Sequence, residues 1–243
     1  AVGGNIITSD YSGGVVSVFP LTGDGGIDTL ACQFVPGQEP ASHIHCSVVS
    51  PDSAYVFITD LGADNIYRAT LPADGRGVPY DFCTAFSFDR EMHPGPRHLT
   101  FSRDGRFAYL ISELGDCVTA FEYSNGILKH LSTEIAYEGD GHGSADIHVS
   151  PDDRYVYTSH RLKEDGIAIF RRNPNSGLLV HSGYVQTGRH PRNFAITPDG
   201  RLLLCACRDD NRIEIYSIEP GSGALTYTGK SIEVPAPVCI QLY

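Results

Sequence analysis

The chain has no tryptophan and one methionine, and it is short of basic residues: 18 Lys and Arg against 29 Asp and Glu. The formal net charge of −11 leaves no basic stripe to neutralise phosphates, which argues against a nucleic-acid partner. Its plainest role is solubility. No run of roughly 18 apolar residues occurs, so a membrane-spanning helix is excluded. The seven cysteines, at 32, 46, 83, 117, 205, 207 and 239, include no CxxC pair of the metal-binding type. Their odd number reads as buried thiols in a reducing, cytoplasmic compartment rather than a disulfide framework. Cys205 and Cys207 alternate onto one face of a strand, where small apolar side chains pack well. Neither a metal nor another cofactor is expected. No signal peptide is visible, and the chain opens on Ala1 rather than Met.

What is present is glycine (26), proline (15) and a hydrophobic fraction of 41% over 243 residues. That composition suits a folded chain of many short strands joined by tight turns. A repeat then gives the architecture. Ser50-Pro51-Asp52-Ser53, Ser102-Arg103-Asp104-Gly105, Ser150-Pro151-Asp152-Asp153 and Thr197-Pro198-Asp199-Gly200 recur at intervals of 52, 48 and 47 residues. Each has turn chemistry, with Pro suited to the second position and Asp and Gly to those after it. A short apolar strand precedes each turn and an aromatic or aliphatic strand follows it. Two more strands come before the next copy, as in Ile213-Glu214-Ile215-Tyr216 and Leu225-Thr226-Tyr227-Thr228. Four antiparallel strands per repeat of this length make an all-β fold, a β-propeller of four-stranded antiparallel blades.

The repeats divide the chain at about 1–40, 41–92, 93–140, 141–187 and 188–235, within a single domain. Residues 5–36 supply only the second to fourth strands of a blade. Val238-Cys239-Ile240-Gln241-Leu242 reads as an unaccompanied first strand, so residues 237–243 are expected to close a ring onto the N-terminal blade and cover exposed sheet edges. Either the ring has five blades, or blades of a larger ring are missing on the N-terminal side.

Residues at equal phase in successive blades form rings around a propeller's channel. With the first Ser or Thr of each turn as zero, position −5 holds His45, Arg97, Ala145 and Arg192. Position +11 holds Leu61, Glu113, Arg161 and Arg208. A lone charge at a strand end is usually a solvated surface group. Charges recurring at two equivalent phases, where Ala145 and Leu61 show that apolar residues fit, point to a shared site. Several Arg with a His and one carboxylate suit an anionic substrate, because a guanidinium matches carboxylate or phosphate in bidentate fashion. Glu113, among these cations, is a candidate general acid or base. Asp146 and His148, at −4 and −2, are weaker substrate-binding candidates, and a satisfied core histidine is an equal reading of His148. His142, between glycines, reads as a loop residue.

These residues also carry a resemblance. The chain resembles the seven-bladed lactonase propellers of the 6-phosphogluconolactonase type, together with the fungal carboxy-cis,cis-muconate cyclase. The likeness runs through Asp10-Tyr11-Ser12-Gly13-Gly14-Val15, Ser42-His43-Ile44-His45, Gly95-Pro96-Arg97-His98, Ser112-Glu113-Leu114, Ala145-Asp146-Ile147-His148, His190-Pro191-Arg192 and Pro237-Val238-Cys239. It implies a catalytic cluster of His45, Arg97, Glu113 and Arg161, with Arg192 as a neighbour. It also implies that about two N-terminal blades lie outside the sequence. The implied activity is hydrolysis of an anionic sugar lactone, with Arg97 and Arg161 holding the anion, Glu113 as general base and His45 as hydrogen-bond donor or proton shuttle. The alternatives are the reverse chemistry, lactonisation of a carboxymuconate, and a non-catalytic propeller that binds a partner.

Overall fold

A computed structural model describes residues 4–37, 41–73, 77–89, 91–137, 139 and 141–242. The strands fall into five antiparallel sheets. The first has three strands, β1 (Asn5–Asp10), β2 (Val15–Pro20) and β3 (Cys32–Phe34). Four-stranded sheets follow. The second is β4 (Ile44–Val49), β5 (Tyr55–Asp60), β6 (Asn65–Thr70) and β7 (Tyr80–Ser87). The third is β8 (Pro96–Phe101), β9 (Phe107–Ser112), β10 (Cys117–Ser124) and β11 (Ile127–Ile135). The fourth is β12 (Ser144–Val149), β13 (Tyr155–His160), β14 (Gly166–Arg172) and β15 (Leu179–Gln186). The fifth is β16 (Pro191–Ile196), β17 (Leu202–Cys207), β18 (Arg212–Ile218) and β19 (Leu225–Glu233). Within every sheet the strands pair in sequence order, as propeller blades do.

The four repeated turns share one hydrogen-bond plan. The Ser or Thr hydroxyl donates to the Asp two residues on, at 2.5–2.6 Å, and accepts the backbone N–H that opens the next strand, as in Tyr155 N to Ser150 Oγ at 2.9 Å. The fourth turn residue (Ser53, Gly105, Asp153 or Gly200) takes a positive φ of 57–69° in each copy.

Four hydrophobic cores lie between successive sheets. Val16, Ile44 and Ile58 join the first to the second, and Phe57, Leu99 and Phe121 the second to the third. Tyr109, Ile147 and Phe170 join the third to the fourth, and Tyr157, Phe194 and Leu203 the fourth to the fifth. A polar latch accompanies each core, made by a strand side chain and a glycine-bearing outer turn of the following sheet. Asn5 Nδ2 donates to Gly77 O (2.7 Å), Tyr109 Oη to Gly177 O (2.9 Å) and Tyr157 Oη to Gly223 O (2.8 Å). Between the second and third sheets, Arg68 Nη1 donates to Gly126 O at 3.0 Å.

One expectation fails. Among the described residues the closing strand does not form: β19 ends at Glu233, residues 234–242 include no strand and pair with none of β1–β3, and Tyr243 lies outside the described residues. Ile240 N donates instead to the Asn193 side chain at 2.6 Å. The cysteines are all free thiols, and Cys205 and Cys207 are buried on one face with their sulfurs 3.9 Å apart, but Cys239 is exposed.

Candidate active site

A β-bulge opens each complete blade where its first strand begins. Ile44 pairs with Asp60 and Cys46 with Thr59, which leaves His45 as the extra residue. Arg97 is extra between the Pro96–Ser112 and His98–Ile111 pairs, and Arg192 between Pro191–Cys207 and Asn193–Ala206. The fourth sheet slips likewise across Ala145 and Asp146. A bulge puts two residues opposite one and re-aims a side chain. Position −5 is therefore turned out of the regular pleat in every complete blade.

His45, Arg97 and Arg192 then line one cavity of about 430 Å³ together with Glu113, Ser9, Tyr11 and Ile44. Glu113 follows directly on β9. Its Oε2 accepts from Arg97 Nε and its Oε1 from Arg161 Nη2, both at 2.7 Å. The structure therefore ties Arg97, Glu113 and Arg161 together by bonds. Arg97 is 2% exposed; burial, with Arg161 and Arg192 nearby, pulls its pKa down to about 10 against the pull of Glu113, and it stays charged at neutral pH. Arg97 Nη1 donates to Ala145 O and, at 3.3 Å, to His98 Nε2, while Nη2 has no partner among the described residues. Arg161 is committed inward: Nε donates to Gly143 O (2.9 Å) and Nη1 reaches His190 Nε2 at 3.4 Å. Arg192 makes no ion pair or hydrogen bond among the described residues, so its charge is available to the cavity.

Burial, then the charges of Arg97 and its neighbours, drives the His45 pKa down to about 2, so the ring is neutral. Its Nδ1 is buried without a partner among the described residues. An orphaned buried donor costs more than an orphaned acceptor, which puts the proton on Nε2. Tyr11 stacks flat on His43 (centroids 4.6 Å apart) and meets His45 edge-on.

Asp146 and His148 do not line this cavity. Asp146 is 3% exposed and collects five donors: His98 Nδ1 (2.7 Å) and Ile147 N (3.0 Å) on Oδ1, with His148 Nε2 (3.0 Å), Asn193 Nδ2 (2.5 Å) and Phe194 N (3.2 Å) on Oδ2. Burial alone would raise its pKa, but bonds from the two histidines outweigh burial and hold the carboxyl well below the usual range. His142 is a loop residue whose Nδ1 bonds Leu114 O at 2.7 Å. A Ser144–His160–Asp116 chain superficially resembles a nucleophilic triad. It runs the wrong way, because the buried Ser144 hydroxyl donates to Asp116 (2.7 Å) and accepts from His160 Nδ1 (2.8 Å).

Residue phase did not point to Ser9, Tyr11, His98 or His190. His98 shares position −4 with Asp146, and that coincidence was the available signal.

The profile of a family described as "Lactonase, 7-bladed beta-propeller" matches residues 2–242. The chain belongs to this lactonase propeller family. The 6-phosphogluconolactonase of Formosa agariphila is 35% identical over 229 residues, which cover 93% of this chain and 62% of that one. A Bacteroides uniformis crystal structure, described provisionally as a 6-phosphogluconolactonase, superposes with a TM-score of 0.92 at 46% identity, over 98% of this chain and 71% of that one. The periplasmic gluconolactonase of Pseudomonas aeruginosa superposes with a TM-score of 0.85 at 29% identity, over 98% and 69%. The chain thus spans about two thirds of the length of these lactonase propellers, and its five sheets compare with the seven blades of the family.

Proposed function

We propose that this propeller hydrolyses an anionic sugar lactone such as 6-phosphogluconolactone, with His45, Arg97, Glu113 and Arg161 as the catalytic cluster. The observation that carries this reading is the single cavity holding, among the described residues, an unpartnered guanidinium (Arg192), a guanidinium corner without a partner (Arg97 Nη2), a neutral imidazole (His45) and one carboxylate (Glu113). The relatives' names point to lactone opening rather than to lactone formation.

The division of labour follows from which donors are free. Arg192 takes the substrate's phosphate or carboxylate, since among the described residues it has no partner to abandon. Arg97 Nη2 and His45 Nε2–H are the donors left for the carbonyl oxygen, whose negative charge grows as water adds to the lactone carbon. Glu113 has each oxygen bonded once, and its cavity-facing side can accept a proton from the attacking water. The same proton then passes to the ring oxygen as the C–O bond breaks, and the open hydroxy acid leaves. Arg161 acts on Glu113 rather than on the substrate, a change from the anion-holding role that the family resemblance implied. His148 and Asp146 support the site through His98, which Asp146 holds.

Water access and anion binding both require the site open to small molecules, and the net charge of −11 favours no nucleic-acid partner. Seven free thiols suit a cytoplasmic location. The proposed unit is one domain, whose four cores link all five sheets.

Proton release on opening of 6-phosphogluconolactone tests the reading. Glu113→Gln should lower kcat by about a hundredfold or more. Equal rates for the two proteins would remove Glu113 from the mechanism.

A further inference from the structure

We propose that His98, with its proton placed by Asp146, is a positioning residue that aims the Arg97 guanidinium into the cavity. The inference rests on the lactonase reading for its kinetic consequence and on geometry for its structural one. A guanidinium is a rigid planar fork, so fixing two of its corners fixes the third. Glu113 holds Nε at 2.7 Å, and Ala145 O and His98 Nε2 hold Nη1; Nη2 is the corner without a partner among the described residues, on a residue that lines the cavity.

His98 accepts from Arg97 only with Nε2 unprotonated, so its proton must sit on Nδ1. Asp146 Oδ1, 2.7 Å from Nδ1, accepts that proton's bond and excludes the other tautomer. Burial keeps the His98 pKa low despite the adjacent carboxylate, so the ring is neutral. Asp146 is itself immobilised by backbone and side-chain donors from β12 and β16. The aim of an arginine on the third sheet is thereby set from the fourth and fifth. His98 also packs against the His45 ring (centroids 5.0 Å apart), so it touches both oxygen-binding groups of the proposed site.

Two substitutions separate positioning from mere cross-linking. A glutamine amide reaches as far as Nε2, and an asparagine amide only as far as Nδ1. His98→Gln therefore keeps an acceptor for Arg97 and gives up the bond to Asp146. His98→Asn does the reverse. The expected result is that His98→Asn lowers kcat/KM for 6-phosphogluconolactone about tenfold, mostly in kcat, while His98→Gln stays within about twofold of the native protein. A substrate-free readout accompanies it: hydrogen exchange of the Arg97 Nε–H, followed by NMR with labelled arginine and assigned from Arg97→Lys. Exchange should speed up in His98→Asn and remain native in His98→Gln. A native-like Asn variant, or a Gln variant as impaired as the Asn one, overturns the proposal. If the native protein opens no lactone, the functional reading falls by itself, and the exchange comparison alone decides the role of His98.

Discussion

Arg192 offers the cleanest single-residue test of substrate charge, because removing it leaves no buried partner behind. Arg192→Ala should raise KM for the phosphorylated lactone tenfold to a hundredfold, equivalent to about 1.4–2.7 kcal/mol, with kcat little changed. Gluconolactone without its phosphate should be indifferent to the substitution. If both lactones suffer equally in steady-state kinetics, Arg192 does not hold the phosphate. The repeat phase brought out His45, Arg97, Glu113 and Arg192 from the sequence, since equal phase means equal height in the ring. It could not rank them: Arg161 turns inward and Arg192 stays unpartnered for reasons of hydrogen bonding alone. His98 stayed hidden for a sharper reason. Neighbours in a regular strand face opposite sides, and only the bulge at Arg97 lets residues 97 and 98 meet.

The sequence motifs determine the elements more fully than they determine the site. The Ser/Thr-x-Asp turn carries its own bonding plan, so each copy predicts the strands on either side of it. Strand endings and inter-sheet contacts needed more. The apolar run 238–242 has strand character but no strand partner among the described residues, and pattern alone does not reveal what a segment will pair with. Nor did the latches show in the sequence. Gly177 has a φ of 72°, and a Cβ there would lie 2.2 Å from the Phe107 ring. Gly223 is equivalent, with Tyr155 as the obstruction. Gly177→Ala should cost about 2 kcal/mol or more, combining the left-handed backbone with a clash. For a chain of this size that is a fall in Tm of roughly 4–8 °C. An unchanged melting curve would show that the outer turn is not fixed against the ring.

At the scale of the whole molecule, buried neutral histidines make folding sensitive to acid. Burial pushes the His160 pKa down to about 3 from an ordinary 6.5. The unfolded chain therefore takes up the proton first on acidification. The stability held by neutral His160 is complete above pH 6.5 and is lost as pH falls from there toward 3. At pH 5 His160 alone should account for about 2 kcal/mol. His190, pushed down to about 4, and His45 act with the same sign. Urea midpoints at pH 7 and pH 5 measure this, and equal midpoints would mean that these rings are not buried neutral.

The inter-sheet latches carry a consequence in time. Asn5 and Gly77, Tyr109 and Gly177, and Tyr157 and Gly223 are separated by 72, 68 and 66 residues. Each bond points the same way, from a blade to the outer turn of its successor. On a ribosome, a blade that has fully emerged still lacks its latch until most of the next blade has been translated. At roughly 5–20 residues per second, that leaves each new blade edge uncovered for several seconds. The latches thus favour assembly in chain order, with the newest blade the last to be secured.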